Sequence, residues 1–152
     1  MRFTRSFLTA CLCALLLVGG FSFLKAPVAH ADVNGCPSGQ NTLAKGDILN
    51  LGSKAVDGKV FLCQDAISQI FFASYAIKTI DGSISSIRTQ LFDVGNDKAL
   101  AEKADDTGST ETETSFATAN GQIKACGLLM YMNKGKFPPL ITEQGCTPSV
   151  SV

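Results

Sequence analysis

The stretch that decides the fold is CQDAISQIFFASYAIKTIDGSISSIRTQLFDV, residues 63–94. Within it Cys63, Ala66, Ile70, Ala73, Ile77, Ile80, Ile84, Ile87, Leu91 and Val94 follow one another at steps of 3, 4, 3, 4, 3, 4, 3, 4 and 3. A half-buried strand repeats every second residue, whereas alternating steps of three and four mark the apolar stripe of a helix. The spacing therefore predicts a helix over about 62–94 that presents a narrow heptad seam to a partner. Asp81-Gly82-Ser83 interrupts it with a break followed by a capping residue. Two helices in a tight hairpin have no reason to hold phase across the turn. One bent or continuous helix holds it at a cost of about 1 kcal/mol for the internal glycine. Gly95-Asn96 supplies the stop.

Working outward, Ile123, Cys126 and Met130 repeat the spacing, and Asn96 caps a short helix through Lys103. Residues 105–121, DDTGSTETETSFATANG, read as a polar Thr/Ser-rich loop with Phe116 as its one large apolar residue. The tail, KFPPLITEQGCTPSVSV, reads as extended, disulfide-tethered coil. The expected fold is mostly α: a small single-domain helical bundle or hairpin built on the long helix and braced by two disulfides. An α+β fold is the alternative.

The N-terminus explains the only histidine. Arg2 and Arg5 precede an uncharged run over residues 7–24, and Ala29-His30-Ala31 places small residues at the −3 and −1 positions of a cleavage site. That order is the one of a secretory signal peptide, residues 1–31, cut after Ala31. Leu8-Thr9-Ala10-Cys11 resembles a lipoprotein box but comes before most of the apolar run. An uncleaved anchor, with Arg2 and Arg5 inside, also exports the remainder, and only then does the protein touch a membrane. Every version places the domain outside the cytoplasm, periplasmic or secreted. Removing Arg2, Arg5 and Lys25 from 13 basic residues leaves 10 against 13 acidic ones, a net charge of −3 for residues 32–152. One modest core fits that length, and scattered lysines on an acidic chain exclude a nucleic-acid face.

Four cysteines remain: Cys36, Cys63, Cys126 and Cys146. In a small exported domain they form two disulfides. Cys36 and Cys146 lie in turn-like terminal segments and Cys63 and Cys126 in apolar ones, which favours the nested pairs 63–126 and 36–146 slightly over the neighbours 36–63 and 126–146. The spacings of 27, 63 and 20 contain no CxxC pair, so neither a zinc knuckle nor a redox dithiol is built in.

With His30 removed, Ser-His-Asp and Cys-His mechanisms lack their base. Gly52-Ser53-Lys54 lacks the earlier glycine of a phosphate loop. Asp93, Gly95 and Asp97 fail as a calcium loop because Lys98 stands where glycine is needed and Ala104 where an acid is needed. No catalytic residue, cofactor or metal is assigned. Paired carboxylates would still allow a hydrolase. Against that, Asp105, Asp106, Glu111 and Glu113 sit in the polar loop, Asp57 and Asp81 sit beside glycines, and tryptophan is absent.

On a helical wheel Phe72 falls opposite the seam, so Phe72 with Tyr75 makes a candidate exposed anchor for a partner. The plainer alternative packs Phe72 under the polar loop or the tail. The expected function is an exported, non-catalytic protein working by protein–protein contact or self-association through the seam, as a subunit or accessory of an envelope, secretion or surface assembly. A carrier with an apolar cavity between the seam and residues 123–132 is the alternative.

Overall fold

The structure, a computed structural model, describes residues 35–49, 56–78, 82–133, 135 and 140–152. The expected leader, with His30 and the lipoprotein-like box, lies outside these residues, as do Ile80 of the expected seam and Asp81 of the break in it.

The described residues form strands and no helix, which overturns both the helical bundle and the α+β alternative. The elements are β1 (Gln40–Leu49), β2 (Val56–Asp65), β3 (Ile70–Ile77), β4 (Gly82–Asp93), β5 (Lys98–Asp105), β6 (Glu111–Glu113), β7 (Ala117–Thr118), β8 (Gln122–Asn133), β9 (Leu140–Cys146) and β10 (Val150–Ser151). One sheet runs β1-β2-β3, with β6 and β7 in turn along the far edge of β3. The other runs β5-β4-β8, with β9 and β10 sharing the far edge of β8. Every pairing is antiparallel.

The expected helix is thus two strands and their turns. In β3, IFFASYAI, every residue after Ile70 is buried, because one side faces the other sheet and the other side is covered as well. A strand buried on both sides is continuously apolar and shows no two-residue alternation. Residues 66–69 form the turn between β2 and β3, so Ala66 belongs to neither strand. In β4 the step of three from Ile84 to Ile87 spans a bulge at Ser85, which returns both residues to the interior. Steps of four preserve a strand's face, so Ala73 and Ile77 point inward together, as do Ile87 and Leu91. Val94 begins the turn beyond β4.

The two sheets pack face to face over one interior with two ends. At one end Val60, Leu62, Phe71, Ala73, Leu91, Ile123 and Ala125 form a dry cluster. At the other, Ile48, Tyr75, Ile77, Ile87, Leu129 and Tyr131 pack together. The neighbouring cysteines pair: Cys36–Cys63 and Cys126–Cys146. The nested arrangement fails for a geometric reason. Cys63 points away from the interior, beside Phe61 and Phe72, where Cys36 reaches it. Cys126 and Cys146 stand directly opposite one another in the β8–β9 pair. Two intramolecular disulfides in so small a domain fit an oxidising environment.

Along one rim the sheets meet backbone to backbone. A methyl group at Gly46 in β1 would collide with the Cys146 carbonyl, and one at Gly145 in β9 would collide with the Asp47 carbonyl. Only glycine allows that approach.

Candidate functional site

The outer face of the second sheet carries side chains in rows fixed by strand register. Gln90, Cys126 and Cys146 form one row across β4, β8 and β9. Arg88, Leu128 and Gln144 form the next, followed by Ser86, Met130 and Thr142, and then by Met132 and Leu140. The first two rows line a depression of about 420 Å³, with Gly127 and Gly145 completing its wall. Beyond it the apolar strip opens to solvent, with Met132 48% and Leu140 43% exposed.

The polar groups here are held in place. Glu102 in β5 lies opposite Gln90, accepts a hydrogen bond from its Nε2 at 2.7 Å, and pairs with Arg88 Nε at 3.3 Å. One carboxylate therefore fixes both an amide and a guanidinium beside the Leu128 side chain. At the far end of the same face the Lys124 ammonium lies 5.1 Å from the centre of the Phe92 ring. Together the groups supply hydrogen-bond donors, amide acceptors and apolar surface. That set suits recognition of a partner with both polar and apolar groups.

The residues singled out in the sequence lie elsewhere. Phe72 is 3% exposed beneath the ring of Phe116, with centroids 4.9 Å apart and planes at 69°. Tyr75 is fully buried between the sheets. Neither is an exposed anchor; the polar loop covers Phe72 through its single large apolar residue. The helical seam is not formed, since its described members divide among inward positions, outward positions and turns. The walls of the expected carrier cavity, Ile123, Ala125, Leu129 and Tyr131, are packed into the interior. Met130 and Met132, by contrast, face outward on the second sheet.

A polar group interrupts the second interior cluster. Glu143 points inward from β9, is 1% exposed, and accepts a hydrogen bond from the Tyr131 hydroxyl at 3.3 Å. The Tyr75 hydroxyl has no hydrogen-bond partner among the described residues. Burial, and then the negative charges of Glu143 and Asp57, push the Tyr75 phenol well above its ordinary value. Glu143 is thus enclosed rather than set in an open acidic cleft.

Three acidic turns hold their own backbone. The Asp65 carboxylate accepts the Ser68 N–H, the Ser68 hydroxyl and the Ile67 N–H, which hold its pKa down at about 2. The Asn96 side-chain amide, then the Asn96 and Gly95 N–H groups, lower that of Asp93. The Thr107 hydroxyl and N–H, then the Ser109 hydroxyl, lower that of Asp105. The calcium-like Asp93–Asp97 run is therefore a hairpin turn, with Asp97 in the left-handed conformation at φ 51°. Among the described residues no three His, Cys, Asp or Glu side chains gather as metal ligands.

Sequence reasoning missed Arg88, Gln90, Leu128 and Gln144. The available signal was the apolar, turn-bounded run IKACGLLMYM, residues 123–132, in which Ile123, Ala125, Leu129 and Tyr131 face in and Lys124, Leu128, Met130 and Met132 face out.

The class the geometry defines is an antiparallel two-sheet sandwich with one disulfide outside the first sheet and another on the exposed face of the second. No family model matches the chain, and neither the curated proteins nor the solved structures yield a match.

Proposed function

We propose that the protein is an exported binding module, periplasmic or secreted, that recognises a protein partner through the outer face of its second sheet. The observation that carries this reading is the ordered row of Arg88, Leu128 and Gln144 above a 420 Å³ depression, with Met132 and Leu140 exposed beside it. Large exposed apolar groups rimmed by fixed polar ones are the usual composition of a recognition surface. The leader-like residues 1–31 and the two disulfides support export.

The test uses two baits in the envelope and culture fractions of the native host: the mature chain and its Leu128→Asp variant. The reading requires a partner retained by the first and lost by the second, with matching circular dichroism. Capture of the same proteins by both baits, or of none by either, overturns it.

A further inference from the structure

The two disulfides differ in what a nucleophile meets. Thiol–disulfide exchange needs access to one sulfur in line with the bond and a leaving thiolate that its surroundings tolerate. In Cys36–Cys63 the second sulfur is closed off: Cys63 is fully buried among Phe61 and Phe72. Attack on half-buried Cys36 would then expel the Cys63 thiolate into that apolar cluster, where desolvation disfavours the charge. Access fails on one side and the leaving group fails on the other.

Cys126–Cys146 has neither obstacle. Cys146 is exposed at the end of β9, and Cys126 is half-buried. Both line the open depression on the outer face, where a leaving thiolate meets solvent instead of an apolar cluster.

We propose that Cys126–Cys146 is a thiol–disulfide exchange site, opened in the folded protein by a dithiol reductant of the CxxC class while Cys36–Cys63 stays closed. The reductant's first thiolate attacks Cys146 Sγ and forms a mixed disulfide. The Cys126–Cys146 bond breaks, and its electron pair leaves on Cys126 Sγ, which takes up a proton from solvent. The second reductant thiolate then attacks its own partner sulfur and releases Cys146 as a thiolate, protonated in turn. The reductant ends as a disulfide, and this protein has gained two electrons and two protons. Strand pairing from Cys126 to Met132 against Leu140 to Cys146 does not depend on the bond, so the sheet persists in the reduced form. The inference is independent of whether a protein partner uses the same face.

The experiment takes the native oxidised protein through graded concentrations of a reduced CxxC protein, with dithiothreitol in parallel. Each stage is quenched with N-ethylmaleimide and mapped by peptide mass spectrometry, while circular dichroism follows the fold. The expected result is labelling of Cys126 and Cys146 at least about tenfold faster than of Cys36 and Cys63, with the strand signal unchanged. Joint labelling of all four cysteines, prior labelling of Cys36 and Cys63, labelling only as the strand signal disappears, or no labelling at all overturns the proposal.

Discussion

The two ends of the interior are built by different rules. At the end closed by the Asp65 and Asp93 turns, Val60, Leu62, Phe71, Ala73, Leu91, Ile123 and Ala125 pack together, and the buried hydroxyls beside them, Thr114 and Thr147, accept hydrogen bonds from the Ala73 and Ala125 N–H groups. That end also has a second apolar layer outside the first sheet, where Phe72 lies between β3 and Phe116. At the opposite end two phenols and the Glu143 carboxylate occupy the space between the sheets. Loss of a large apolar side chain is therefore expected to cost more at the dry end. The polar end holds charge and hydrogen bonding in a low-dielectric setting, which costs stability unless every group is satisfied.

The largest effect separating the ends is expected from Phe71→Ala. It opens a cavity in the dry cluster and lowers unfolding free energy by about 4 kcal/mol in denaturant titration. A loss below about 1 kcal/mol would show that the dry end does not carry that cost. Next comes Phe116→Ala, which uncovers Phe72 and removes one edge-to-face ring pair. The expected cost is about 1 kcal/mol by the same titration, and no change would leave the outer layer without energetic weight.

Tyr75→Phe sharpens the contrast from the polar side. The hydroxyl has no partner among the described residues, so its removal at neutral pH is expected to change stability by less than about 1 kcal/mol. A cost matching that of Phe71→Ala would erase the distinction between the ends. The variant also carries a pH signature. The folded-state pKa of Tyr75 lies above the ordinary 10.0, so the folded protein holds that proton more tightly than the unfolded chain. Wild-type stability then falls as pH rises past 10.0, and thermal melts of Tyr75→Phe should fall less steeply there.

The smallest effect belongs to the turn that closes the dry end. Asp65 has its folded pKa at about 2 against an ordinary 3.8, so its ionised form stabilises the fold above that ordinary value. The contribution fades as pH falls toward 2. Melting temperatures of wild type and Asp65→Asn should differ at pH 7 and converge near pH 2; a difference that persists in acid would exclude the ionised turn as its cause.

The class of fold was hidden in residues 63–94 because three local events imitated helical spacing. The β2–β3 turn absorbed Ala66, the Ser85 bulge absorbed one odd step, and burial of both sides of β3 erased the alternation that marks a strand. The β-branched and aromatic content of IFFASYAI, bounded by turn residues on each side, was the legible counter-signal. The formation of two disulfides was legible from composition alone. Their pairing was not, because it depends on which side of β2 Cys63 faces and on the β8–β9 register. Cover for Phe72 was also within reach, through Phe116 as the one apolar anchor of the polar loop. The face bearing Arg88, Leu128 and Gln144 was not, since it joins alternate residues of strands whose existence had been read as helix and coil.

The glycine contact between β1 and β9 has a consequence for how copies of this protein meet. Exposed strand edges invite chain-to-chain growth, and here two of the four lateral borders are spent against each other at Gly46 and Gly145. On the second sheet the border left over is β5, whose sequence KALAEKAD sets lysines and acids along it. Charged side chains along a border strand discourage a further strand from adding, so among the described residues the second sheet's remaining border is of the kind that resists chain-to-chain growth.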